Sequence, residues 1–240
     1  MAGNAPRLVQ RGILRFFEES CPYVAQLGRD GVLLVTRMMT IFAVFWLFAG
    51  TAQAAEAIAA PVQPGAATIS DQSTIEAFYD GLVDTMKQGP QLGFSGRAEK
   101  IEPLVKNTFS LDFMAQLIVG PTWRSIEDGQ KNQVVSAFSD WVVANYASQF
   151  TSYDGEKFET DGVKNGGRGT KVVETRIVPN GGDPVKLGYR MMNGKVIDVY
   201  LDGSVSQLAL WRSQFASVIK KDGIDGLISR LKEQAQKMAS

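Results

Sequence analysis

The sequence predicts an α+β fold: an antiparallel four-stranded sheet packed against several helices around an apolar pocket. Three observations point there. Apolar residues recur at helical spacing from Ile75 to Phe150, alternate with a period of two from Lys171 to Leu201, and return to helical spacing after Ser204. Asn193-Gly194, between two alternating runs, is the strongest short hairpin signal. Helices grouped before and after a block of strands define the α+β class, in which helices cover one face of the sheet.

Residues 1–54 read as an N-terminal extension and signal peptide. In Met38–Gly50, eleven of thirteen residues are apolar and none is charged. Arg37 precedes the run, and Thr51-Ala52-Gln53-Ala54 supplies the small residues for cleavage after Ala54, with Ala57 as second choice. The run is shorter than the ~20 apolar residues of a bilayer span, which favours export over an uncleaved anchor. The stretch before Arg37 exceeds a normal n-region and leaves the true start codon open. Residues 55–70, rich in Ala, Pro and Gly, read as a disordered lead-in. Residues 71–240 read as one domain.

Ser73-Thr74-Ile75-Glu76 has capping-box spacing and opens a helix through Phe78, Tyr79, Leu82 and Met86 that Gly89-Pro90 ends. A second helical pattern, Arg97–Asn107, is broken or kinked at Pro103. Ser110 caps a short helix, Leu111–Val119, stopped by Gly120-Pro121. The longest helix begins at Ser125-Ile126-Glu127-Asp128. It places Val134, Val135, Phe138, Trp141, Val142, Tyr146 and Phe150 on one face.

Strands follow at Lys171–Val178, Val185–Met191 and Ile197–Leu201, with a fourth near Glu156–Val163 that turns at Asn165-Gly166-Gly167. Val173, Thr175 and Ile177 share one face with Val185, Leu187, Tyr189 and Met191, and with Ile197, Val199 and Leu201. Two helices close the chain, Ser204–Lys220 and Ile224–Met238, separated by Lys221-Asp222-Gly223.

Composition excludes much chemistry. There is no histidine and only one cysteine, Cys21, which removes histidine-based acid–base catalysis, Ser-His-Asp and Cys-His triads, an internal disulfide and almost every zinc site. A formal net charge of zero gives no support for nucleic-acid binding. Gly188 to Val196 superficially resembles a phosphate loop but has the wrong glycine spacing and Val196 where Ser or Thr is needed. Gly166-Gly167-Arg168-Gly169 lacks a following helix and reads as a turn. Asp154, Glu156, Glu159 and Asp161 have no EF-hand spacing and read as a solvated acidic face.

Several segments carry a family resemblance: Phe109-Ser110-Leu111-Asp112-Phe113-Met114-Ala115, Val119-Gly120-Pro121-Thr122-Trp123-Arg124, Val199 to Ser206, Trp211-Arg212-Ser213-Gln214-Phe215, and Gly223 to Leu231. In order and spacing, from about Ile75 to Leu231, they resemble the MlaC or toluene-tolerance family of periplasmic phospholipid carriers. Within it the chain looks nearest to the HpnM branch, associated with hopanoid gene clusters. Trp211, where many members have Tyr, and Leu208-Ala209-Leu210 depart from the family pattern.

The resemblance implies an MlaC-like, cone-shaped fold whose pocket holds a phospholipid or hopanoid-type lipid. It also implies no enzymatic activity and no cofactor. It implies passage between an inner-membrane ABC-transporter or MCE-type complex and an outer-membrane lipoprotein or other envelope partner. The expected lipid-binding residues are Phe113, Phe138, Val142, Tyr146, Val173, Tyr189, Val199 and Phe215. Trp123, Trp211 and Arg212 are expected at the mouth, where an amphipathic ring suits a wet–dry boundary. Two alternatives stand beside this. One is a pocket enzyme on an NTF2-like scaffold using Asp198 or Asp202 with Tyr189 or Tyr200; the other is an envelope adaptor with a filled core.

Overall fold

The computed structural model describes residues 66–240. The expected signal peptide and its expected cleavage point therefore lie outside the described residues. The first helix, α1, spans Ala66–Thr108 and changes direction at Gly93, whose φ of 62° and ψ of −172° leave the helical region. Ser73 thus lies inside the helix instead of capping it.

The bend expected at Gly89-Pro90 sits at Gly93, and Pro103 causes no break at all. A proline's fixed φ suits a helix and costs one hydrogen bond; a left-handed residue changes the path of the chain, and glycine adopts it without a Cβ penalty. Gly89 serves packing instead: a Cβ there would stand 2.0 Å from the Thr151 carbonyl oxygen. Arg97, buried, holds the bend by donating from Nη1 to Gly89 O at 3.0 Å and from Nε to Ala147 O at 2.8 Å.

Helix α2 is Leu111–Val119, and Gly120 stops it with a φ of 69°. The Ser110 hydroxyl does not cap it but donates to Asp112 Oδ1. A 3₁₀ turn, Gly120–Arg124, leads to α3, Asp128–Gln149. On the expected face of α3, Val134, Phe138, Trp141 and Val142 are buried and Val135 and Tyr146 half-buried, and Ala137, Val143, Ala144 and Ala147 around them are buried as well. Those small residues let α1 and α4 pack against α3, while Asn132, Ser136 and Asp140 stay exposed.

The sheet has five strands in the order β1-β2-β3-β4-β5, all antiparallel: Lys157–Gly167, Thr170–Val178, Val185–Met192, Lys195–Leu201 and Val205–Ser206. This corrects the four-stranded expectation. The extra strand is two residues long, too short to alternate, and it is turned by Asp202-Gly203, both at positive φ. The β1–β2 turn also shifts. Asn165 and Gly167 remain in β1, and Arg168-Gly169 makes the turn with φ values of 51° and 74°, close to the 52° and 74° of Asn193-Gly194.

A bulge in β4 alters one face assignment. Met191 pairs with Val196 while Arg190 pairs with Asp198, so Ile197 is the extra residue. Val196, 0% exposed, joins the main core in its place. The last helix, α4, spans Gln207–Ala239 and bends at Gly223, which has a φ of 71°. It starts later than expected because Val205–Ser206 pairs with β4; Ser206 then caps it, accepting from Ala209 N at 3.0 Å.

Candidate functional site

Between the sheet and the helices lies a continuous layer of aromatic side chains. Phe78 and Tyr79 come from α1, Phe109 from its end, Tyr146 from α3, Phe150 from the α3 C-cap, Phe158 from β1 and Tyr189 from β3. Their rings touch in sequence: Phe78–Phe109 at 5.4 Å, Phe78–Tyr146 at 5.4 Å, Tyr146–Phe150 at 5.6 Å, Phe150–Phe158 at 6.3 Å, Tyr79–Phe158 at 4.9 Å and Tyr79–Tyr189 at 5.7 Å. Edge-on and tilted geometries dominate, as ring quadrupoles favour.

This layer is apolar but not purely so. The Tyr79 hydroxyl lies 2.6 Å from Thr175 Oγ1, and Thr175 Oγ1 donates onward to Leu187 O at 3.4 Å. Burial pushes all three phenols, Tyr79, Tyr146 and Tyr189, above the ordinary tyrosine range, because an interior without water disfavours the phenolate.

Of the expected lipid-binding residues, Phe138, Val142, Val173, Tyr189, Val199 and Phe215 fall in one buried core cluster, with Tyr146 partly buried against it. Sheet register explains part of this: Tyr189 sits opposite both Val173 and Val199. Phe113 stands apart, half-buried on α2 and outside that cluster. Phe138 and Phe215 pack with Trp141 and Trp211, a second aromatic group on the α3–α4 side. Trp211 is therefore buried at 3% exposure, away from any wet boundary, while Trp123 is half-buried. Arg212 is exposed beside the α2 terminus, where a Cβ on Gly120 would meet its Nη2 at 3.2 Å. That position suits a cation against the negative end of a helix.

Sequence reasoning placed Phe78, Tyr79 and Phe150 only in helical patterns and did not single out Phe109 or Phe158. The available signal was composition: large aromatics on the inward positions of three separate elements. Cavities lie elsewhere among the described residues. One of about 520 Å³ is on the opposite face of the sheet, floored by Gly188 and Val172 and edged by Glu174, Tyr200 and Asp202. One of about 600 Å³ lies among α1, α3 and α4, and one of about 410 Å³ surrounds the β1–β2 turn.

Of the residues of the enzyme alternative, Tyr200 and Asp202 both edge the 520 Å³ cavity on the outer face of the sheet, whereas Asp198 and Tyr189 do not line it. Asp198 pairs with Arg190 across the sheet, on the face opposite Tyr189 and Val199. Its Oδ1 accepts from Val199 N and Leu208 N, and its Oδ2 accepts from Ser206 Oγ at 2.7 Å, so the carboxylate is committed to starting α4. Burial raises its pKa, opposed by those hydrogen bonds. Tyr200 OH instead accepts from Arg190 Nη1 at 3.3 Å. Of the acidic residues near β1, Glu159 and Asp161 are paired with Arg176, and Glu156 accepts from Asp154 N. Among the described residues, no cluster of His, Cys, Asp or Glu is arranged to hold a metal ion, and no helix is long and apolar enough to cross a membrane.

Residues 76–233 match a family model described as MlaC protein. A curated relative, the intermembrane phospholipid transport system binding protein MlaC of Haemophilus influenzae, is 23% identical over 134 residues, 52% of this chain and 62% of the relative. The chain thus spans less than two thirds of that relative's length. Among solved structures, the phospholipid-binding protein from Ralstonia solanacearum, in complex with a phospholipid, is 24% identical with a TM-score of 0.59. That likeness covers 71% of this chain and 99% of the other, and it is a likeness of fold.

Proposed function

The chain belongs to the MlaC protein family, and we propose that it is a periplasmic phospholipid carrier that holds hydrocarbon tails in the aromatic layer between sheet and helices. The observation that carries this reading is the phospholipid held by the Ralstonia solanacearum protein, which this chain matches in fold over 99% of that protein's length. The name of the Haemophilus influenzae relative supports transport between membranes.

The physics of such cargo follows from transfer energies. Each buried methylene gains about 0.8 kcal/mol over water, so a sixteen-carbon chain gains on the order of 12 kcal/mol. Escape into water is then negligible, at a factor of ten per 1.4 kcal/mol. Cargo moves only while the carrier is docked, and the family resemblance suggests as partners an inner-membrane ABC-transporter or MCE-type complex and an outer-membrane lipoprotein or other envelope partner. No step requires bond chemistry. In this reading the tails replace ring–ring contacts around Tyr146, Val173, Tyr189 and Val199, and the sheet parts from α1 and α3 to admit them. Membership of the HpnM branch would make the cargo a hopanoid-type lipid.

Organic extraction of protein purified from its native compartment tests the proposal and identifies the cargo. Near-stoichiometric lipid is expected; repeatedly lipid-free native mass spectra would leave the filled-core adaptor standing instead. Val142→Phe and Tyr189→Trp should reduce loading more than they reduce stability, and equal losses of both would assign these residues to the core alone.

A further inference from the structure

The groove of about 600 Å³ among the helices has a definite chemical layout. Its apolar surface comes from Ala98 of α1, Val143 and Ala144 of α3, and Ala235 of α4, with Phe94 beside the Gly93 bend. Alanine side chains stop at Cβ, and that is what leaves the space open. Its charges are divided between the walls. Glu99 and Glu102 line it from α1 and Asp140 from α3, while Lys232 lines it from α4. Lys106 pairs with Glu102 from outside the groove lining. Asp140 lies in the field of both Lys106 and Lys232, and desolvation raises its pKa.

An acyl chain suits this groove poorly, because it offers nothing to four charged side chains. An amphipathic helix suits it well. Such a helix presses apolar residues at i, i+3, i+4 and i+7 into a floor and sets charges along its flanks. Along α1 the groove runs from Phe94 to Glu102, roughly 13 Å at 1.5 Å per residue, which accommodates two to three turns of a docked helix. We propose that this groove docks an amphipathic helix of a protein partner, with a basic flank against Glu99, Glu102 and Asp140 and an acidic flank against Lys232. None of the residues assigned to lipid binding lines the groove, so this inference stands or falls apart from the cargo.

The probe is a synthetic helix of about 18 residues, with leucines on one stripe, lysines on one flank and glutamates on the other. Titrated into the isotope-labelled protein, it should shift the amide resonances of Ala98, Ala144 and Ala235. Glu99→Lys with Glu102→Lys should weaken binding at least tenfold, and Ala235→Trp should abolish it, while both leave lipid loading unchanged. Absence of shifts at the groove overturns the proposal, as does equal binding by the charge-reversed protein. A fall in lipid loading with Ala235→Trp would hand the groove to the lipid. A dimer in sedimentation that Ala235→Trp dissociates would hand it to a second copy of the chain.

Discussion

The hydroxyl of Tyr79 on α1 lies 2.6 Å from Oγ1 of Thr175 on β2, a polar contact inside the layer that joins helix to sheet. Both residues are buried, at 3% and 1% exposure. Removing one partner takes a hydrogen bond from the other in a dry interior, although Thr175 keeps its bond to Leu187 O; the cost is about 1–3 kcal/mol, and removing both is cheaper. Tyr79→Phe is therefore expected to lower stability by about 1–2 kcal/mol. Adding Thr175→Val should cost less than the two single changes summed. Urea unfolding of the four species measures the coupling, and strict additivity would show that the pair contributes nothing specific.

The same layer makes the fold sensitive to alkali. Tyr79, Tyr146 and Tyr189 all have folded-state pKa values raised by desolvation. Unfolded tyrosines ionise near pH 10. Below that pH their contribution is fully present. Above it the unfolded chain releases protons that the folded chain retains, so stability falls as pH rises, by about 1.4 kcal/mol per pH unit for each such group. Urea midpoints should drop steeply above pH 10, and Tyr146→Phe should flatten the slope. An unchanged midpoint with tyrosinate absorbance rising in the folded state would refute it.

The elements legible in the sequence were those whose period was unbroken. Leu111–Val119 and its stop at Gly120, the Asn193-Gly194 hairpin and the Gly223 bend all depend on neighbours within a few residues. The misplaced features depend on distant ones. Gly89 looks like a helix terminator until Thr151 stands against it, and Pro103 looks like a breaker although the helix tolerates it. The β4 bulge moved Val196 into the core in place of Ile197, because an inserted residue inverts a period of two. At the site, face alternation found Val173, Tyr189 and Val199, which share a cross-strand row. It could not separate the aromatic layer from the Trp141–Trp211 group, since α3 contributes Tyr146 to one and Trp141 to the other.

Gln207 offers a stabilising change. It is 1% exposed, and neither its amide nitrogen nor its oxygen has a hydrogen-bond partner. A buried amide without partners forfeits its hydration with nothing in return. Gln207→Leu is expected to raise stability by about 1–2 kcal/mol, or about 2–4 °C in Tm per kcal/mol for a domain of this size. A loss of stability instead would reveal a bound water or polar group held by the amide.

Two glycines of α1 separate steric from conformational cost. At Gly93 nothing lies within 4 Å of an added Cβ, but its φ is +62°. Gly93→Ala therefore meets only the penalty of a backbone region essentially restricted to glycine, φ 62° with ψ −172°, about 1–3 kcal/mol. At Gly89 an added Cβ would stand 2.0 Å from a backbone oxygen, that of Thr151, which no rotamer change relieves. The α1–α3 junction held by Arg97 would have to move, breaking the bonds from Arg97 to Gly89 O and Ala147 O. Gly89→Ala should cost at least about 3 kcal/mol, within the range of severe overpacking. Arg97→Lys should recover little of an Arg97→Ala loss, because an ammonium lacks the planar fork that spans two carbonyls. Chemical denaturation of the four variants orders them. Equal costs at Gly89 and Gly93 would mean that the close approach to Thr151 relaxes freely, and that Arg97 does not hold the junction rigid.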